Sequence, residues 1–381
     1  MSRHLKTVAV HAGVEPEATV GAVVPPIFQT STFAQESPGV HKGYDYSRAG
    51  NPTRTAVEDA LGALEGARYA LSFASGLAAV QAVIHHLQPG DRVLVGDDVY
   101  GGTGRLFRTL YGKFQIEFEF LDLNDEAALN EALKKPCRML WFETPSNPML
   151  KIVDIKKMVE RVSKETLVVV DNTFASPIFQ NPLAFGADIV LHSCTKYLGG
   201  HSDLVGGCVM LNDEKLYEAL KYIQFAAGAV PAPFESYLLH RSLKTLAVRM
   251  EAHEKNARAV SDFLVTHKKV KHVYDPALPS HPGHDVAQKQ MSGFGGMLSF
   301  DLNGSFQDVQ SFVGKLRVFL LAESLGAVES LVNHPEQMTH ASVPEALRKK
   351  LGIGPTLLRL SVGIEHQEDL LQDLDQALSA L

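Results

Sequence analysis

The sequence holds little that would tie it to an oxidising compartment, a membrane or a nucleic acid. Its 381 residues include three cysteines, Cys137, Cys194 and Cys208. Their separations fit neither a disulfide framework nor a zinc ligand set, so no metal is expected and a reducing, cytoplasmic setting is the natural one. No apolar run approaches the length that spans a bilayer, and the opening stretch MSRHLKTVAVHAG lacks the long apolar segment of a secretory signal. Positive charge is also in short supply: 36 basic against 43 acidic residues leave a formal net charge of −7. That balance offers no electrostatic reason to expect nucleic acid or anionic membrane as a partner. The densest basic cluster, Lys268-Lys269-Val270-Lys271, is short and reads as a solvated face. Internal repeats and low-complexity tracts are missing too.

What remains is an ordinary globular balance, 45% hydrophobic and 21% charged, in a chain long enough for two domains. Residues 1–48 stand apart. They carry Pro16, Pro25, Pro26 and Pro38 with little periodicity. They are too apolar for a disordered tail and too irregular for a core element, which predicts an extended arm packed on something else, such as another subunit. From about residue 50 short apolar runs alternate with helical patterns. Strands are expected at Tyr69–Phe73, Arg92–Val95, Phe118–Leu121, Met139–Phe142, Leu167–Val170 and Ile189–Leu191, with helices such as Thr53–Leu64 and Asp154–Val162 between them. This alternation predicts an α/β domain over 49–242 with a mostly parallel sheet. Beyond it, a single long helix over Leu239–His267, a strand at Met297–Leu302 and further helices ending with Gln367–Leu381 predict a smaller α/β domain over 243–381.

The chemistry gathers at strand ends. Leu167-Val-Val-Val170 runs into Asp171, and Ile189-Val-Leu191 runs into His192-Ser193-Cys194-Thr195-Lys196. In open α/β sheets ligands bind just beyond the carboxyl ends of the strands. A lysine and a carboxylate there suit pyridoxal 5′-phosphate (PLP). The lysine joins its aldehyde, and the carboxylate keeps its pyridine nitrogen protonated so that the ring accepts electrons. Singly, Asp171 reads as well as a turn cap and Lys196 as a surface lysine. Ser75-Gly76-Leu77 follows a strand and opens a helix, offering free N–H groups to a phosphate, while Ser193 and Thr195 offer hydroxyls. Tyr100, on the loop after Arg92–Val95, can stack on a cofactor ring and exchange a proton with substrate. Asn147 and Arg359 are candidates for the substrate carboxylate. Arg359 lies inside an apolar strand pattern, which is costly unless it is paired, so a buried structural ion pair is the competing reading.

In this order the segments Tyr46-Ser-Arg48-Ala-Gly-Asn-Pro-Thr-Arg, Phe73-Ala-Ser-Gly-Leu, Asp98-Val-Tyr-Gly-Gly-Thr, Val170-Asp-Asn-Thr-Phe, Ser193-Cys-Thr-Lys-Tyr, Ala322-Glu-Ser-Leu-Gly and Leu358-Arg-Leu-Ser-Val-Gly-Ile-Glu closely resemble the trans-sulfuration PLP enzymes, the cystathionine γ-lyase and γ-synthase family, almost end to end. The resemblance implies the aminotransferase-like fold (PLP fold type I) and a homotetramer made of two close dimers. It implies Lys196 as the Schiff-base lysine, Asp171 as the pyridinium partner, and Gly76, Leu77, Ser193 and Thr195 as phosphate holders. Tyr46 and Arg48 would reach the phosphate of the neighbouring subunit, and Tyr100 would stack on the ring. Asn147, Ser324 and Arg359 would bind the substrate carboxylate, with Glu323, Asp45 and Arg105 completing the substrate pocket. The expected reaction is γ-elimination on cystathionine, giving cysteine, 2-oxobutyrate and ammonia. γ-Replacement of an O-acyl-homoserine by cysteine is the alternative. Methionine γ-lyase ranks lower, because that branch typically carries a cysteine where this chain has Gly102. An aldolase using a lysine without PLP would leave Asp171 and the phosphate set without a task.

Overall fold

The computed structural model describes residues 3–341 and 343–381. Seven strands form one sheet: β1 (Tyr69–Phe73), β2 (Arg92–Gly96), β3 (Glu117–Leu121), β4 (Met139–Glu143), β5 (Leu167–Asp171), β6 (Ile189–Ser193) and β7 (Gly207–Leu211), in the order β1-β7-β6-β5-β4-β2-β3. Strands β2 to β6 pair parallel, and β7 runs antiparallel between β6 and β1. The central strands are buried on both faces, with Val93–Val95, Leu140–Phe142 and Val168–Val170 almost wholly enclosed. That is why they read as continuous apolar runs and not as alternating ones.

The antiparallel β7 was not among the expected strands. A strand running back through a parallel sheet has no crossover helix before it to announce it. Its register aligns Phe73, Gly207 and Ser193 across three strands. The exits of β1 and β6 therefore lie at one edge with those of β2, β4 and β5.

Helices cover the sheet. Helix α1 (Leu5–His11) packs on α2 (Pro52–Glu65). Asn51 caps α2 by accepting from the Thr53 amide, Pro52 supplies its first turn, and Gly66 closes it at φ 68°. Glu65, at the end of α2, bonds His192 Nε2 (2.5 Å) and Asn172 Nδ2 (2.9 Å), all buried. The residues just before Ser193 and just after Asp171 are thus pinned from beneath. Helix α3 (Gly76–Ile84) begins at the β1 exit, and α4 (Gly101–Arg105) begins directly after Tyr100.

A second, five-stranded sheet holds β8 (Val270–Tyr274), β9 (Met297–Leu302), β10 (Leu320–Leu321), β11 (Leu331–Asn333) and β12 (Leu357–Ser361), ordered β10-β11-β12-β9-β8. Phe300, Phe312, Leu358, Leu360, Leu370 and Leu374 make its core. The fold is the expected aminotransferase-like one. The single long helix expected over Leu239–His267 is instead two, Pro233–Leu243 and Leu246–Thr266. Arg249 spans the break: it reaches back to bond the Ser242 carbonyl (3.0 Å) and Thr245 Oγ1 (3.2 Å), so a side chain satisfies a carbonyl at the end of the first helix. The last helix ends at Ser379. No helix among the described residues is long and apolar enough to cross a membrane.

Candidate active site at the carboxyl edge of the large sheet

A cavity of about 380 Å³ opens where the exits of β1, β2, β4, β5 and β6 meet the second sheet. Its lining includes Gly76, Leu77, Tyr100, Asn147, Asp171, Ser193, Thr195, Lys196, Glu323, Ser324 and Arg359. Residues as far apart in the sequence as Ser75 and Arg359 thus meet because five loops leave one sheet edge and β12 faces them.

Lys196 follows β6 in a tight turn in which its amide donates to the Ser193 carbonyl. Its Nζ donates to Ser324 Oγ at 2.8 Å. Burial and the nearby Arg359 push its pKa down to about 8, with Glu323 opposing them. A lysine in that state is available both as a nucleophile and as a base near neutral pH. Ser324 sits at φ 89°, a left-handed conformation that a non-glycine residue adopts at a cost of order 1–3 kcal/mol, and that strain falls at the hydroxyl meeting Lys196.

Asp171 ends β5. Its Oδ1 accepts from the Thr173 amide (3.0 Å) and from Thr173 Oγ1 (2.6 Å), which leaves Oδ2 for another donor. Glu143 pairs with it in register from β4 and also lines the cavity. Burial raises both carboxyls, and Asp171 raises Glu143 further, while the two Thr173 donors hold Asp171 back. Of the two, the Glu143 carboxyl is the more strongly raised. Glu143 Oε1 also takes the Tyr100 amide at 2.7 Å.

At the β1 exit Ser75 caps α3 by accepting from the Ala78 amide (3.0 Å). The Gly76 and Leu77 amides are left without an acceptor among the described residues, and they point toward a ready anion seat. A Cβ at Gly76 would lie 3.1 Å from Ser193 Cβ and 3.2 Å from Ser193 Oγ, so only glycine leaves this cradle open. Two free amides, two hydroxyls, a carboxylate with a spare oxygen and a depressed lysine fit the phosphate, the ring nitrogen and the aldehyde of PLP.

Arg359, on β12, is 1% exposed. Its Nη1 donates to Asn147 Oδ1 (2.9 Å) and its Nη2 to the Ser324 carbonyl (2.7 Å), while Nε has no partner. Burial lowers its pKa to about 10, so it stays charged. Its hydrogen-bond partners are neutral, which answers the earlier alternative: no ion pair holds it among the described residues, although the nearby Glu323 favours its charge. A buried guanidinium held only by neutral hydrogen-bond partners suits an arriving carboxylate.

Tyr100 stands at the mouth, 41% exposed. A Cβ at Gly102 would lie 2.4 Å from its ring, so a cysteine there requires the ring to move. Glu323 is exposed beside Ser324 on the cavity wall.

Four expected site residues lie elsewhere within this chain. Arg105 ends α4 facing solvent. Asp45 and Tyr46 are exposed on the arm, and Asp45 borders a separate hollow with Tyr44 and Arg54. Arg48 Nη1 donates to the Phe225 carbonyl (2.8 Å), and its guanidinium lies 4.5 Å from the Phe225 ring centroid. No side chain of the arm lines this cavity within its own chain. Glu143, Thr173 and Thr339 line the cavity or support it and were not anticipated. Glu143 obeys the same strand-end rule as Asp171. Thr339 comes from the irregular segment after β11, where no periodic signal exists.

A sequence profile of the family described as Cys/Met metabolism PLP-dependent enzyme matches residues 6–379. The chain is 53% identical over 374 residues to a cystathionine γ-lyase of Dictyostelium discoideum, covering 98% of this chain and 97% of that protein. It is 51% identical over 378 residues to a cystathionine β-lyase of Coxiella burnetii, covering 98% of each. A crystal structure of cystathionine γ-synthase from Xanthomonas oryzae in complex with cystathionine superposes with a TM-score of 0.98 at 45% identity, over 100% of this chain and 98% of that one.

Proposed function

Since the chain belongs to the Cys/Met metabolism PLP-dependent enzymes, we propose that it cleaves cystathionine by γ-elimination, releasing cysteine, 2-oxobutyrate and ammonia. The observation that carries this reading is a cavity lined by charges of both signs. Arg359 is buried with only neutral hydrogen-bond partners, and the exposed Glu323 carboxylate lies on the wall. A substrate with a carboxylate at its reacting end and a second ammonium beyond its sulfur complements both. Cystathionine has that shape, and methionine lacks the distal charge.

Bound PLP supplies an electrophilic carbon for the substrate amine and an electron sink that lets protons leave Cα and Cβ. The Gly76 and Leu77 amides with Ser193 and Thr195 would hold its phosphate, and Asp171 Oδ2 its ring nitrogen. Arg359, Asn147 and Ser324 orient the substrate carboxylate. Lys196 Nζ, neutral in part at pH 7–8, takes the Cα proton. Tyr100, at the mouth, gives a proton to the departing sulfur and covers the reacting carbons from water. The Tyr46 and Arg48 side chains serve the phosphate of a neighbouring subunit in a homotetramer. The arm's exposed Val20, Val23 and Val24 support such an assembly.

γ-Replacement joining cysteine to an O-acyl-homoserine is the second reading, favoured by the likeness to the synthase structure. β-Elimination is the third, favoured by the 51% identical relative. Product analysis separates them. Cystathionine alone is expected to give cysteine and 2-oxobutyrate. Homocysteine and pyruvate would establish β-elimination. Faster turnover of cysteine with O-succinyl- or O-acetylhomoserine would establish the synthase.

A further inference from the structure

Beneath the cavity floor the loop after β2 is fastened to the loop after β4 by a carboxylate that has no part in the chemistry above. Asp98 lies two residues before Tyr100 and is 4% exposed. Its Oδ2 accepts a hydrogen bond from Ser146 Oγ. Ser146, 2% exposed, immediately precedes Asn147. It is itself gripped by Lys151, whose amide donates to Ser146 Oγ (2.9 Å) and whose carbonyl accepts from the Ser146 amide (3.0 Å). That turn presents Asn147 Oδ1 to Arg359. One buried contact is thus two residues from the ring at the mouth and one residue from the seat for the substrate carboxylate.

The contact is costly to keep. Burial and the neighbouring Asp97 push the Asp98 pKa up to about 6, although Ser146, Lys151 and the Met149 amide ease its charge. Asp98 Oδ1 is buried without a well-formed hydrogen bond. Lys151 does not neutralise it directly, because its Nζ is spent on Asp97 (2.9 Å) and Asp122 (3.0 Å). Glu143, the other acid near this loop, is raised by burial and by Asp171 and accepts from the Tyr100 amide. A polar group kept ionised in a buried place with incomplete partners opposes stability. Such a cost concentrates where geometry serves function.

We propose that Asp98 is a positioning residue for the reaction: through Ser146 it sets where Tyr100 stands relative to the carboxylate seat at Asn147 and Arg359. This rests on the reading that the cavity is the site of PLP-dependent cleavage.

The test is a double-mutant cycle on the holoenzyme with Asp98→Asn and Ser146→Ala. Kinetics are read together with the affinity for L-alanine, which carries a carboxylate but no leaving group, followed by the cofactor's visible absorbance. Each single variant is expected to raise KM and weaken L-alanine binding about fivefold and to lower kcat about threefold, with melting at pH 7.5 within about 3 °C of wild type. The double variant is expected to be no worse than the more damaged single one. Losses that multiply in the double variant, or single variants with wild-type KM, kcat and L-alanine affinity, overturn the proposal. So does a melting point that falls while the kinetics hold. If Asp98→Asn does not fold, Ser146→Ala alone must show the KM and L-alanine effects, and their absence overturns the proposal equally. A wild-type protein that binds L-alanine but cleaves no cystathionine overturns the substrate reading instead, and the cycle is then scored on L-alanine affinity. A wild-type protein that shows no PLP absorbance and binds no L-alanine overturns both.

Discussion

The carboxyl edge of the large sheet and the N-terminal arm were both expected to carry site residues, and within one chain they differ completely. At the edge, polar side chains meet one another: Lys196 with Ser324, Arg359 with Asn147, Asp171 with Thr173. On the arm, Asp45 and Tyr46 face solvent, and Arg48 finds only a carbonyl and an aromatic face. The edge is prepared by its own chain for a ligand. The arm's candidate side chains meet none of the cavity's groups within their own chain. The lesson is that charge and aromaticity at matching motif positions need not share a cavity in the chain that carries them.

The comparison breaks most sharply at Lys196. Lys196→Ala should lower turnover by at least about 10³-fold and remove the borohydride-sensitive visible band, since no other amine lines the cavity among the described residues. Measured by absorbance and product release, retained turnover would mean that the edge is not the active site. Arg359→Lys comes next, with an expected loss in kcat/KM of about 10²-fold. An ammonium cannot bridge Asn147 and the Ser324 carbonyl in the plane that a guanidinium uses. The arm should behave differently in kind. Arg48→Ala should weaken cofactor retention about tenfold, and the loss should deepen on dilution, as followed by gel filtration with absorbance detection. A loss independent of protein concentration would place the arm's role within its own chain. Glu323→Val should cost about tenfold in kcat/KM on cystathionine and less on amino acids without a distal ammonium, and an equal loss on both would remove its proposed role.

The smallest effect is one of stability. The Lys196 pKa in the fold, about 8, lies below its unfolded value, so ionised Lys196 opposes folding at every pH below 8, and the cost fades as pH rises toward 10.5. Cofactor-free Lys196→Met should therefore be more stable than the cofactor-free wild type at pH 7, by on the order of 1–3 kcal/mol, with the gap shrinking by pH 10. Denaturant melts at the two pH values check it.

Much of the large sheet was legible because its parallel strands are buried on both faces and bounded by turns. The six expected strands fall within a residue or two of the observed ones. Their ends were legible for the same reason, and with them Asp171, Lys196 and the Gly76 cradle. The helix break at Lys244–Thr245 was not legible. Arg249 folds back there onto a carbonyl seven residues earlier, a contact that no local pattern announces. The antiparallel β7 carries no local mark that distinguishes it from a parallel neighbour. Glu143 could have been read from the rule that found Asp171. Its raised pKa could not, because that depends on burial and on the facing carboxylate.

By itself the sequence determined the α/β alternation, the residues at the strand exits and their chemical types, since these follow from local periodicity and from which side chains tolerate a sheet edge. Tertiary structure alone decided that Arg359, from the second sheet, and Ser324, from the segment between β10 and β11, close over Lys196, and that this lysine's charge is disfavoured by burial and by Arg359. It also decided that Asp98 couples two loops below the floor, and that the arm's Tyr46 and Arg48 stay out of their own chain's cavity. Those outcomes depend on distances between segments far apart in the chain and on the water excluded between them, and neither quantity is encoded in any local stretch of residues.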